Sequence, residues 1–122
     1  SLTSLFRFRR MMKELNRTLE LAPDHLDALS AKGSVLTRVP GFLGGDKEKG
    51  ETLLRHVIAR EPGAVNARLS LAKSYCAGGR HEEAVAIATT ALDLAQRQQR
   101  VDFIPEAQQV LSQLRTQSAK GN

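Results

Sequence analysis

The sequence predicts an all-α fold, a solenoid of paired helices, on three observations. Gly50, Leu54, Val57 and Pro62 repeat the offsets of Met11, Leu15, Thr18 and Pro23, and Ala84, Ala88 and Ala91 continue the series. Internal repetition on this scale marks arrays of stacked supersecondary units. Apolar residues recur at three- and four-residue spacing along the chain, and no segment alternates apolar with polar as a half-buried strand does. Aromatics are only 4% of the chain and Trp is absent, so the interior must be Leu, Ala, Val and Ile, whose size sets how closely helix axes approach.

Six helices follow in order. The first covers residues 4–21, with Leu5, Phe8, Met12, Leu15 and Leu19 along one face. Pro23 stops it, because proline cannot continue the ladder and pushes Ala22 out of helical geometry. Asp24 is expected to cap a second helix, residues 25–39, with Leu29, Gly33 and Leu36 facing inward. A glycine inside a helix is unfavourable by about 1 kcal/mol relative to alanine, so Gly33 implies close approach by a neighbouring backbone. Pro40-Gly41 ends this helix. Asp46 caps a third, residues 47–60, whose inner side carries Gly50, Leu53, Leu54, Val57 and Ile58.

Glu61-Pro62-Gly63 turns the chain into a fourth helix, residues 64–77, with Ala67, Leu71, Ala72 and Tyr75 as its buried row. Gly78-Gly79 ends it, since glycine accepts the left-handed C-terminal conformation. The fifth helix, residues 81–98, presents Ala84, Val85, Ala88, Ala91, Leu92 and Ala95. After the polar run Gln96–Arg100, Pro105 suits the first turn of a last helix, residues 103–118, with Ala107, Val110, Leu111 and Leu114 inward and Gln108, Gln109, Gln113 and Gln117 elsewhere. One polar and one apolar face is what an array needs to close its end. The tail from Ser118 to Asn122 is expected to fray.

A chain of 122 residues is one domain by length. No run approaches the roughly 20 apolar residues of a membrane span, and the chain does not open with a secretory leader pattern. The expectation is a soluble protein, with cytoplasm and periplasm both open. The single cysteine, Cys76, fits either. Net charge is +5 and uneven: Arg7, Arg9, Arg10, Lys13 and Arg17 face only Glu14 and Glu20 in the first twenty residues. Such a helix is either a solvated face or an attractor of nucleic acid or an anionic surface. No nucleic-acid recognition motif accompanies it, which makes nucleic acid the less favoured partner.

Enzyme chemistry finds little support. His25, His56 and His81 lie apart, and His81-Glu82-Glu83-Ala84-Val85 lacks the second histidine of a zinc-protease helix. Gly45 and Gly50 have the spacing that opens a phosphate-binding loop, but Glu51 stands where the essential lysine belongs and would repel phosphate. Cys76, in an apolar helical setting, reads as an inert thiol. The expectation is a non-enzyme with no catalytic residues, no metal site and no cofactor.

Leu71, Ala72, Tyr75, Gly79, Ala84 and Ala91, within the unit Val65–Ala95, resemble the consensus places of the tetratricopeptide repeat, a helix–turn–helix unit of about 34 residues. Arg68 departs from it, as a large apolar residue is expected there, and Gln96 replaces the usual closing proline. The preceding unit is similar through Leu29, Gly33, Leu36, Gly50, Leu54 and Pro62. It is longer, with Pro23 and Pro62 39 residues apart, and Lys32 replaces an apolar residue. The surplus lies in residues 40–46, and a turn ending Gly44-Gly45-Asp46 resembles those of some bacterial members, accessory proteins of periplasmic solute transporters among them. The resemblance implies a right-handed α-α superhelix of helix hairpins: a half repeat (1–23), a repeat with an extended turn (24–63), a second repeat (64–98) and a C-terminal capping helix (103–118).

The resemblance further implies a protein-interaction scaffold that holds a peptide or partner protein in a concave groove lined by the first helix of each unit. Those positions are Asp27, Ser30, Ser34 and Arg38, then Asn66, Leu69, Ser70, Lys73 and Ala77, with Arg38 and Lys73 as charged contacts. Each could equally be plain solvated surface. The family's carboxylate clamp is missing, since Ser30, Ala31 and Ser34 occupy clamp-type places and only Asn66 and Lys73 are polar in the second unit. Phe42 and Leu43 are bulky for a turn. They are expected to fold back as a lid over Leu36 and Leu54, the alternative being an exposed docking point. Self-association through Phe8, Met12 and Leu15, the uncovered face of the half repeat, is a further possibility.

Overall fold

The apolar periodicity becomes six helices in the computed structural model, which describes residues 1–121: α1 (Leu2–Leu21), α2 (Leu26–Arg38), α3 (Lys47–Arg60), α4 (Val65–Ala77), α5 (His81–Arg97) and α6 (Phe103–Gly121). Among the described residues there is no strand. α2, α4 and α6 contact one another in succession as a row. The other three pack on the members of that row beside them in sequence: α1 on α2, α3 on α2 and α4, α5 on α4 and α6. This is a stack of helix hairpins, the all-helical repeat architecture that the sequence implies.

Local chemistry sets the helix ends. Asp46 accepts the Lys49 N–H at 3.1 Å and starts α3 as expected. α2 departs from expectation: His25, not Asp24, is its cap, with Nδ1 accepting the Ala28 N–H at 3.1 Å. A capping side chain must stand at the last extended residue, three before the amide it receives, and His25 holds that place with φ −70° and ψ 100°. Gly79, at φ +77°, ends α4 in a turn where the Arg80 N–H donates to the Tyr75 carbonyl at 2.9 Å. The α5–α6 turn repeats the pattern with Gln99 at φ +55° and the Arg100 N–H donating to Ala95 at 2.8 Å. α6 continues through Ser118 to Gly121 rather than fraying from 118, and Asn122 lies outside the described residues.

The core runs the length of the stack. Leu54, Val57, Leu71, Tyr75, Ala84 and Leu114 belong to its main cluster, and Val65, Leu69, Ala91, Ala95 and Ala107 form a second. Ala84, Ala88, Ala91 and Ala95 make one fully covered line on α5, but Val85, expected inward, is exposed because it sits a step of about 100° round the helix from that line. Gln117, expected outside the apolar face, is half-buried and accepts the Cys76 thiol at 3.3 Å.

The extended turn corrects the lid expectation. Gly41–Leu43 form one turn of 3-10 helix in which Phe42 is 88% and Leu43 41% exposed, so neither covers Leu36 or Leu54. The turn closes on its own backbone: Gly45 donates to the Pro40 carbonyl at 3.1 Å and Asp46 to that of Leu36 at 3.0 Å. A side chain on Gly45 would overlap the Val39 carbonyl oxygen, 1.7 Å from an ideal Cβ.

Candidate functional site

The row of α2, α4 and α6 encloses a cleft of about 550 Å³. Ser34 and Arg38 come to it from α2, Asn66, Ser70 and Lys73 from α4, and Glu106 from α6, with Met11, Ala31 and Ala77 as apolar wall. An adjoining hollow of about 370 Å³ holds Asp27, Ser30 and, again, Asn66, beside Arg100 and Phe103. The structure thus distributes the seven anticipated groove residues over two neighbouring hollows that share Asn66. The register behind this is helical, since Ser30, Ser34 and Arg38, like Asn66, Ser70 and Lys73, recur at three or four residues and so lie along one side of their helices.

Their surroundings differ. Ser34 is buried and Ser70 half-buried, and their hydroxyls share a hydrogen bond of 2.6 Å that ties α2 to α4. Ser30 is buried as well. Leu69, anticipated on the groove, is wholly buried at 0% exposure in the cluster with Ala91, Ala95 and Ala107. α4 has neighbours on several sides, so a position off its main stripe still meets another helix. Arg38 and Lys73 are exposed, as is Asn66. Arg38 Nε donates to the Ser34 carbonyl at 3.3 Å, and Lys73 forms an ion pair with Glu106.

Sequence reasoning missed Glu106. An ion pair between residues so far apart in the chain leaves no periodic trace, and the only local signal is a carboxylate beside Pro105, one turn ahead of Val110. It also missed the polar hub beneath the cleft. Glu51, 7% exposed, accepts the Ser74 hydroxyl at 2.6 Å and faces Arg80 at 3.4 Å and Arg55 at 3.9 Å. Arg80 also lies over the Tyr75 ring, 3.9 Å from its centroid, and pairs with Glu83 at 2.7 Å. Hydrogen bonding to Glu83 raises the Arg80 pKa further above its ordinary value, and the same bond holds Glu83 below the usual carboxylate range. The residue that sequence reasoning used only to reject phosphate binding thus joins α3 to α4 and to the start of α5.

Arg68, a departure from the repeat consensus, has a local role. Its Nε and a terminal nitrogen both donate to the Pro62 carbonyl, at 3.2 and 2.8 Å, while Gln98 donates to that of Gly63 at 2.8 Å. The α3–α4 turn is held by side chains from α4 and the end of α5. Burial pulls the Arg68 pKa below its ordinary value. Among the described residues no three His, Cys, Asp or Glu gather as metal ligands, and no helix is long and apolar enough to cross a membrane.

Residues 45–102 match the family model described as Tetratricopeptide repeat. That span contains α3, α4 and α5, including the whole unit Val65–Ala95. No curated protein and no solved structure matches the chain.

Proposed function

We propose, from the premise that this chain is a helical repeat protein of the tetratricopeptide repeat family, that it binds a peptide or partner protein in the cleft between α2, α4 and α6 without catalysis. The family is one of protein-interaction scaffolds, and the coarse assignment rests on the match. The finer one is supported by a single observation: exposed Arg38, Asn66 and Lys73 stand on one hollow whose walls include Met11, Ala31 and Ala77. Polar groups over a partly apolar floor let an extended segment gain contact area while its backbone and side chains find partners. The hairpins arrive preformed, so the receptor loses little conformational entropy on binding. Glu106 occupies Lys73 in the free protein, and an incoming carboxylate would exchange for it.

Peptides selected from a random display library on the intact chain, then titrated by calorimetry, test this reading. Binding is expected to weaken about tenfold or more in an Arg38→Ala, Asn66→Ala double variant with an unchanged melting temperature. Equal affinity for the variant and the parent protein would remove the cleft as the site.

A further inference from the structure

We infer that the hollow at the N-terminal ends of α2 and α4 is a subsite for a cationic side chain, arginine or lysine, of the peptide or partner held in the cleft. The inference deepens the cleft reading and rests on it only for the remainder of the ligand. Two exposed carboxylates, Asp27 on α2 and Glu61 in the α3–α4 turn, stand on this hollow of about 370 Å³. Among the described residues neither is in an ion pair. The cation on its wall, Arg100, is already engaged: it donates to Asp102 at 3.2 and 3.3 Å and lies over the Phe103 ring, 4.5 Å from its centroid.

Ser30 supplies the independent sign. It is 9% exposed and lines the same hollow, yet among the described residues its hydroxyl has no hydrogen-bond partner. Other covered serines are bonded, Ser34 to Ser70 and Ser74 to Glu51, and a serine inside a helix often donates to a carbonyl one turn back. A covered polar group without a partner is unfavourable, and the Ser30 oxygen can accept an N–H from a group in the hollow.

These three groups select the occupant. A guanidinium or ammonium brings several N–H donors together with the charge that the two carboxylates lack. An anion would meet Asp27 and Glu61 as like charges, and an apolar side chain would leave all three groups unanswered. A bare metal ion would face the positive end of α4, which Ala64 leaves without a side-chain cap. A peptide residue can answer those amides with its own carbonyl oxygen. Asn66 borders both hollows, and Lys73 lies seven residues further along α4, about 10 Å on its axis. An extended chain covers that distance in about three residues. The ligand therefore carries its cation about three residues from the carboxylate that exchanges with Glu106 at Lys73.

The probes are Nα-acetyl-arginine methylamide and its lysine counterpart, titrated into the isotope-labelled intact chain and followed by amide nuclear magnetic resonance, with the glutamine counterpart as neutral control. Both cations are expected to shift the Ser30 and Asn66 amides saturably, and the glutamine probe to leave them unmoved. An Asp27→Asn, Glu61→Gln double variant should bind the cations about fivefold or more weakly at an unchanged melting temperature. An Asp27→Lys, Glu61→Lys double variant should instead prefer the glutamate counterpart, which only a folded hollow with swapped charge can do. Equal shifts from glutamine, equal shifts around Glu48, an exposed carboxylate on α3, or undiminished binding by the neutralised variant overturns the inference. So does displacement by magnesium chloride where sodium chloride of equal ionic strength has no effect, since the hollow would then be a metal site. The cleft reading fails separately: display-selected peptides that need Arg38 and Asn66 without preferring Lys or Arg leave the cleft and remove the subsite, whereas saturable cation binding without peptide binding does the reverse.

Discussion

Gly33 and Gly50 meet across the α2–α3 interface with no side chain between them. An ideal Cβ on Gly33 would lie 3.0 Å from the Gly50 carbonyl oxygen and 2.9 Å from Leu54 Cγ, and one on Gly50 would lie 2.7 Å from both the Gly33 carbonyl oxygen and Thr37 Cγ2. Alanine favours a helix over glycine by about 1 kcal/mol, so the sign of each substitution depends on whether the neighbour can yield. At Gly50 the obstacle includes backbone, and Gly50→Ala should destabilise by about 1–3 kcal/mol. Adding Gly33→Ala should then cost less than it does alone, because the helices are already apart. Urea unfolding of the two single variants and the double variant measures both.

Glu51 is the buried centre of the hub that joins three helices. Removing its carboxylate leaves the Ser74 hydroxyl without its acceptor and Arg80 with one partner fewer. Arg80 keeps much of its hydration, which lowers the loss, so Glu51→Ala should destabilise by about 1–3 kcal/mol. A cycle with Arg80→Met separates the share due to the ion pair. A coupling indistinguishable from zero would assign the effect to the Ser74 bond alone.

Gln99 occupies the left-handed position that glycine fills at Gly79 in the preceding turn. A side chain there is strained by about 1–2 kcal/mol, partly offset by the extra freedom glycine gives the unfolded chain. Gln99→Gly should therefore stabilise the protein by about 0.5–1 kcal/mol, read as a higher urea midpoint with unchanged slope.

Burial, with Lys49 nearby, pushes the Lys32 ammonium below its ordinary 10.5. Between that lowered value and 10.5 the unfolded chain holds more protons than the folded one, so this group makes stability rise with pH there. Lys32→Met should raise the melting temperature at neutral pH and flatten the alkaline rise. Glu83 gives a slope of the same sign at low pH, though it stabilises at neutral pH where Lys32 destabilises: Arg80 holds it below its ordinary 4.5, so its contribution is present above that value and disappears as pH falls through the lowered one. Arg80→Met should remove this acid-side slope. Urea midpoints across a pH series report both effects.

The legible part of the fold was local. α3 begins and ends where Asp46 and Glu61-Pro62 place it, and the intrahelical glycine at 33 announced a backbone contact that Gly50 supplies. What escaped was long-range and polar. The Ser34–Ser70 bond, the Lys73–Glu106 pair and the Cys76–Gln117 contact join residues on different helices without any repeat in sequence. Leu69 escaped for another reason, since α4 is enclosed on several sides and a position flanking its polar line of Asn66, Ser70 and Lys73 still meets another helix. The groove positions came from the repeat resemblance, and no chemistry in the side chains themselves marks them.

The 3-10 corner at Gly41–Leu43 takes up the additional length of its unit outside the α2–α3 contact, whose glycines still meet. Growth or shortening of this corner changes what the molecule displays at its edge, with Phe42 at the tip, while the spacing of α2 and α3 stays set by the glycine seam. Loop length and the separation of this helix pair can consequently diverge on separate evolutionary schedules, one free to sample new surfaces and the other held fixed.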